Sequence, residues 1–197
     1  MFWDDSAGSV SFLTPSTGLV IDTTNIRVIR TYVVHYQDVL ALDADGVLVS
    51  RTWQDETVTS FAAQPDVPSN LTVAIAPEPL QTQTGTVTIN GTDADGATLQ
   101  EVFTISDSVP TTYTGSKAFA LITSVVTDQT DSTTLSLYTV GWADKLGLPN
   151  YPFNATGDVF KTKKNNANLT VPTVDTTNGT VNFATITGGD DYTIWFR

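Results

Sequence analysis

The chain has 197 residues, nine basic and 21 acidic, a formal net charge of −12 and no cysteine. That length supports a self-sufficient core, while the lack of thiols excludes disulfide scaffolds, thiolate metal sites and cysteine nucleophiles. The negative field disfavours nucleic acid and anionic lipid as partners.

Threonine occupies 35 positions, and charged residues make up only 15% of the chain. A β-branched side chain with a hydroxyl suits the solvated face of a strand and fits helices poorly. Glu56, Glu78 and Glu101 are the only glutamates, so the acidic complement is mostly aspartate, a turn former. The expected fold class is all-β: an antiparallel β-sandwich or barrel of one or two β-units with Asp-Gly hairpin turns and little helix.

At the start, Met1-Phe2-Trp3-Asp4-Asp5 has no basic n-region, and no later stretch is long and apolar enough to span a bilayer. The expectation is a protein made in a host cytoplasm and not exported. Phe2 and Trp3 are candidate partner anchors, because large aromatics are costly to leave in water and common at interfaces. Period-2 alternation then predicts strands near 26–36, 47–53, 71–76, 85–91, 97–105, 117–126, 134–141, 169–174, 179–186 and 191–197. In 85–91, Val87 and Ile89 share a face opposite threonines. In 97–105, Glu101 interrupts the face of Ala97, Leu99, Phe103 and Ile105. At the end, Tyr192, Ile194 and Phe196 share a face with Trp195 opposite.

Proline-containing stretches at 63–70 and 148–152 divide the chain into an N-terminal β-rich part (1–66), a central sandwich-like unit (67–149) and a C-terminal part (150–197). The last has too few strands for a core of its own and is expected to pack on the rest or on a neighbouring subunit.

Candidate chemistry is sparse. Asp43-Ala44-Asp45-Gly46 and Asp93-Ala94-Asp95-Gly96 echo each other and predict two hairpin turns. Their glycines come fourth, where an EF-hand needs the sixth position, so no metal is expected. His35, the single histidine, has no Gly-x-Ser-x-Gly elbow to serve. Asp4/Asp5, Asp55/Glu56 and Asp190/Asp191 are adjacent, and adjacent strand residues point to opposite faces, so none is a glycosidase dyad by itself. Neither catalysis nor a cofactor is expected. Lys161, Lys163 and Lys164 form a basic cluster, read either as a solvated loop or as an electrostatic contact to an acidic partner. Five Asn-x-Thr triplets follow from the abundance of threonine and are not read as glycan acceptors.

Three stretches carry a resemblance: Gly85-Thr-Val-Thr-Ile-Asn-Gly-Thr-Asp-Ala-Asp-Gly-Ala-Thr-Leu-Gln-Glu-Val-Phe-Thr-Ile105, Ser116-Lys-Ala-Phe119 with Ile122-Thr-Ser-Val125, and Val140-Gly-Trp-Ala-Asp-Lys-Leu-Gly-Leu-Pro149. Together they resemble tailed-phage virion structural proteins of the head decoration, cement or head-fibre kind. The resemblance covers about a third of the chain, and its most specific piece is Asp144–Pro149. It implies a protein on the virion surface that clamps subunits of the major capsid protein from outside, commonly as a homotrimer, and it supplies no catalytic residues. The first 65 residues carry no such resemblance, which leaves open a tail component or a receptor-binding module that takes carbohydrate. Trp53, Trp142 and Trp195 are the sugar-stacking candidates for that alternative.

Overall fold

The computed structural model describes residues 2–4, 9–11, 32–131, 135–149, 155–183 and 185–197, the first two segments by backbone pairing only. The chain divides into two units, residues 1–30 and 31–197. In the first, β1 (Phe2–Asp4) and β2 (Ser9–Ser11) pair antiparallel, with Phe2 opposite Ser11 and Trp3 opposite Val10.

The second unit is antiparallel β throughout its described residues, apart from one 3-10 turn at Thr156–Asp158. The expected all-β class is therefore the observed one. Its first sheet runs in the order β5 (Glu56–Val58), β10 (Leu121–Gln129), β7 (Gln83–Thr92), β8 (Thr98–Asp107). In β7 every second residue is buried, so Val87 and Ile89 line the core while Thr84, Thr86 and Thr88 face outward. The β7–β8 connection is the expected Asp-Ala-Asp-Gly turn. Asp93 Oδ1 accepts from the amides of Asp95 and Ala97, both at 2.9 Å, and Gly96 takes the left-handed conformation at φ +79°.

The facing sheet contains β14 (Thr173–Asp175), β15 (Thr180–Asn182), β11 (Leu137–Gly147), β6 (Ser69–Ala76) and β9 (Thr111–Phe119), with β4 (Asp43–Thr52) also on β11. Trp53, Leu71, Val73, Ile75, Val87, Ile89, Phe119 and Val125 fill the space between the two sheets. Trp53 and Tyr138 meet edge to face at 5.8 Å between ring centroids, worth about 1 kcal/mol beyond the area they bury.

Glu101, the interruption in the apolar face of β8, has a structural task. Its Oε1 accepts from the Ser116 amide (2.8 Å), the Ser116 hydroxyl (3.2 Å) and the Lys117 amide (3.4 Å), tying β8 to β9 where no ladder joins them. Asn70, fully buried, works similarly. Its amide donates to the Gly115 carbonyl (2.8 Å) and its oxygen accepts from the Lys145 amide (2.9 Å). Both contacts fall where the β6 register slips against β9 and β11, so one side chain replaces ladder bonds lost at two irregularities.

A third sheet, in the order β13 (Ala167–Leu169), β12 (Val159–Lys164), β16 (Asp190–Phe196), β3 (Tyr32–Val39), closes a second core. Val39, Leu146, Leu148, Val159, Val181, Tyr192, Ile194 and Phe196 lie in it. β11 serves both cores, since Tyr138, Val140 and Trp142 enter the first and Leu146 the second. Thus β3 and β4, from the first 66 residues, pair with β16 and β11, and strands beyond residue 150 complete a core with them.

Several local expectations are corrected. Asp43-Ala44-Asp45-Gly46 is no turn: it lies inside β4, where a Cβ on Gly46 would come within 2.4 Å of the Trp142 ring. Gly141 does not end a strand but sits inside β11. The predicted strand 117–126 is two strands broken at Ala120, whose amide donates to the Thr92 carbonyl at 2.8 Å. In the predicted strand 134–141, hydropathy would turn Leu135 and Leu137 inward, but the buried residues are Ser136 and Tyr138, while Leu135 is 69% exposed and Leu137 39%. The Tyr138 hydroxyl donates to Glu56 at 2.8 Å and Ser136 Oγ accepts from the Glu78 amide at 3.0 Å, so polar partners within the fold outweigh the side chains' hydropathy. The beginning of the predicted strand 26–36 lies outside the described residues.

Glu56 gives a testable pH dependence. Burial raises its carboxyl, but Arg51 (Nη2 at 2.8 Å, Nε at 3.1 Å) and the Tyr138 hydroxyl outweigh that and hold it below its ordinary 4.5. A depressed folded value means stability that is complete above 4.5 and is lost as pH falls through the folded value. Glu56→Gln should cost about 1 kcal/mol at neutral pH, a modest figure because Arg51 is half-exposed. In urea titrations the gap between wild type and variant should close as pH drops below 4.5. A gap constant down to pH values well below that would mean the carboxylate charge contributes nothing.

Candidate functional surface

In β16, Tyr192, Ile194 and Phe196 turn inward, so strand alternation puts Thr193 and Trp195 on the outer face of the third sheet. The register then sets two rows across three strands. Lys161 of β12 and Val33 of β3 flank Trp195; Lys163 and His35 flank Thr193. Lys161 Nζ lies 4.8 Å from the Trp195 ring centroid and Lys163 Nζ 5.9 Å, both within cation–π range. His35 Nδ1 and Thr193 Oγ1 share a hydrogen bond of 2.8 Å. Val33 is 55% exposed, and a register shift between Val159 and Lys161 leaves Phe160 46% exposed beside the rows.

Neither Lys161 nor Lys163 makes a hydrogen bond or ion pair among the described residues. The other described basic side chains are engaged. Arg51 holds Glu56 at 2.8 Å, Lys164 holds Asp190 at 2.5 Å and Arg197 holds Asp158 at 3.4 Å. Lys117 donates to the Gln100 carbonyl at 2.7 Å and Lys145 to that of Gly115 at 3.3 Å. Two unpaired cations on one aromatic, in a chain of net charge −12, make a local reversal of the protein's field.

The structure therefore splits the sequence's lysine cluster. The segment is strand β12, not a loop. Lys161 and Lys163 face outward, whereas Lys164 faces the other way, opposite Tyr192, bound to Asp190 and to Thr187 Oγ1 at 3.2 Å. Its ammonium is raised and the Asp190 carboxyl lowered, in each case chiefly by the hydrogen bond between them. Trp195 was a sugar-stacking candidate in the sequence but not a partner anchor. Its place beside the lysines depends on pairing β12 with β16, which sequence spacing does not reveal.

Among the remaining sequence candidates, Trp53 is fully buried, with its indole N–H on Asp131 at 3.2 Å, and Trp142 is 5% exposed with its N–H on the Ala41 carbonyl at 2.8 Å. Neither faces solvent, so only Trp195 of the three is accessible. Asp55 accepts from the Gln129 amide and Asp191 from the Asp38 amide, placing these carboxylates in backbone contacts. For Phe2 and Trp3 only the β1–β2 pairing is described. Asp144–Leu148, part of the most specific stretch of the family resemblance, packs into the second core. Leu146 and Leu148 are buried, the Gly147 amide donates to the Pro68 carbonyl and the Leu148 amide to that of Gly179, at 2.8 and 2.9 Å. That segment supports architecture more than contact with a partner.

No family model matches this chain, and no curated protein matches it. A solved structure of infectious bursal disease virus, Gx strain, is similar at 12% identity over 93% of this chain and 42% of that one, with a TM-score of 0.25. The chain thus spans less than half of that protein, and a score so low does not establish a common fold.

Proposed function

We propose that this protein is a structural component of a virion, a decoration or cement protein that binds the outer surface of a tailed-phage capsid and stabilises it without catalysis. The observation that carries the binding reading is the Lys161–Trp195–Lys163 face. An apolar anchor ringed by unpaired cations, on a rigid sheet within an acidic protein, suits an acidic patch on a major capsid protein subunit. The assignment to a phage shell comes from the sequence resemblance around 85–149. The same proposal includes a homotrimer, attachment aided by Phe2 and Trp3, no nucleic-acid or membrane partner, and residence on the capsid surface. Many shallow contacts repeated over a shell suffice for such a clamp, because binding the assembled state better than loose subunits shifts the equilibrium toward assembly.

A second reading, a tail-tip module that binds carbohydrate, is favoured by one observation: Trp195 is accessible where Trp53 and Trp142 are not. Purified protein offered to empty capsids and to a glycan array separates the two. The cement reading expects sedimentation with the capsids, and rupture of stripped shells at lower temperature than re-decorated ones. If decorated and stripped shells rupture together while Trp195-dependent glycan binding appears, the second reading replaces it.

A further inference from the structure

The opposite side of the second core carries a different feature. Val174, Val181 and Leu146 of β14, β15 and β11 point into that core. Alternation therefore turns their neighbours outward in two rows: Thr173, Asn182 and Lys145, then Asp175, Thr180 and Gly147. A hollow of about 420 Å³ opens over these rows, lined by Lys145, Thr173, Asp175, Thr176, Thr180 and Asn182, with Val174 as its apolar member. That volume falls within the usual range for small-molecule sites. Thr180 is only 1% exposed, yet its hydroxyl has no hydrogen-bond partner. A buried hydroxyl left unpaired costs stability, and because Thr180 lines the hollow, rotation of its side chain toward the opening lets a ligand satisfy it.

The chemistry of the lining narrows the ligand. Asp175 is ionised and fixed. Burial raises its carboxyl, but bonds from the Asn178 side chain (2.7 Å) and the Asn178 and Thr177 amides, aided by the charge of Lys145, hold it below the usual range. Lys145 supplies the opposite charge, so the hollow has no net sign. An anion meets Asp175 in a chain of net charge −12, a cation meets Lys145, and an apolar guest strands Thr180. Groups that donate and accept at once suit a mixed floor of hydroxyls, amide, carboxylate and ammonium.

We propose that this hollow binds a neutral polyhydroxylated ligand, a single terminal saccharide residue of a glycan. It lies on the far side of the second core from the Lys161–Trp195 face. A subunit docked by that face would turn the saccharide site away from the shell, but the proposal rests on the hollow alone and survives if the docking reading fails. A shallow site of this kind, part polar and part apolar, gives millimolar affinity for one residue, which repeated display on a surface multiplies.

The test is saturation-transfer NMR on the full chain with galactose, glucose, mannose and N-acetylglucosamine, and with glucuronate and inorganic phosphate as anionic arms. Transfer to at least one neutral sugar is expected, stronger than to either anion. Thr180→Val should weaken it about tenfold, the loss of one hydrogen bond. The same variant should melt no lower than wild type, because the hydroxyl it removes has no partner in the fold. Lys145→Met should weaken binding too, and Trp195→Ala should leave it intact. No transfer from any neutral sugar, preference for an anion, indifference to Thr180→Val, or loss in Trp195→Ala would each overturn the proposal.

Discussion

Replacing Gly141 by alanine should unfold the protein or cost it about 3 kcal/mol or more, far beyond what one added methyl ordinarily does. Gly141 lies inside β11, where β4 crosses closely. A Cβ there would stand 1.8 Å from the Asp43 carbonyl oxygen and 2.5 Å from the Ala44 carbonyl carbon. The obstacle is backbone, so no rotamer change relieves it, and β4 must leave β11. That movement would also lift Gly46 from the Trp142 ring and loosen a strand that feeds both cores. Gly96→Ala is the control. Its φ is +79° but nothing lies within 4 Å of the added carbon, so only the left-handed strain of about 1–2 kcal/mol applies. Chemical denaturation of both variants checks the difference. Equal losses would mean that the β4–β11 contact gives way easily.

Reversing both free lysines, Lys161→Glu with Lys163→Glu, should reduce attachment to capsids about a hundredfold or more. Juxtaposed like charges cost several kcal/mol at an interface, and each 1.4 kcal/mol is about tenfold in affinity. The fold should lose only about 1 kcal/mol, the two cation–π contacts with Trp195, because neither lysine holds another partner among the described residues. Wild-type attachment should itself weaken as salt is raised, since exposed charges are screened. Lys164→Glu is the contrasting variant. It places a carboxylate against Asp190 and should lower stability in the folded monomer. Co-sedimentation and melting measured together separate the two effects. Undiminished attachment of the double reversal would remove this face from the docking account.

Much of the architecture was legible because strand alternation is a local property. In β7 and β16 the apolar residues recur every second position, and the burial of Val87, Ile89, Tyr192, Ile194 and Phe196 follows from that period. The Asp93–Gly96 turn was legible for the same reason: an Asx hydrogen bond and a left-handed glycine lie within five residues. Composition announced the all-β class, since threonine at 35 positions leaves few places for helix.

What the sequence could not decide was which partner each strand meets. The same four letters, Asp-Ala-Asp-Gly, make a turn at 93–96 and a strand at 43–46. The second copy has Trp142 lying over its glycine and Gly141 admitting its backbone, contacts about a hundred residues away. Leu137 faces out and Tyr138 in because Glu56 waits inside for the phenol. Lys161, Lys163 and Trp195 became one surface only when β12 paired with β16. Lys164, one residue further on, went to the other face, because a strand reverses direction at every side chain while charge clustering in a sequence carries no record of it.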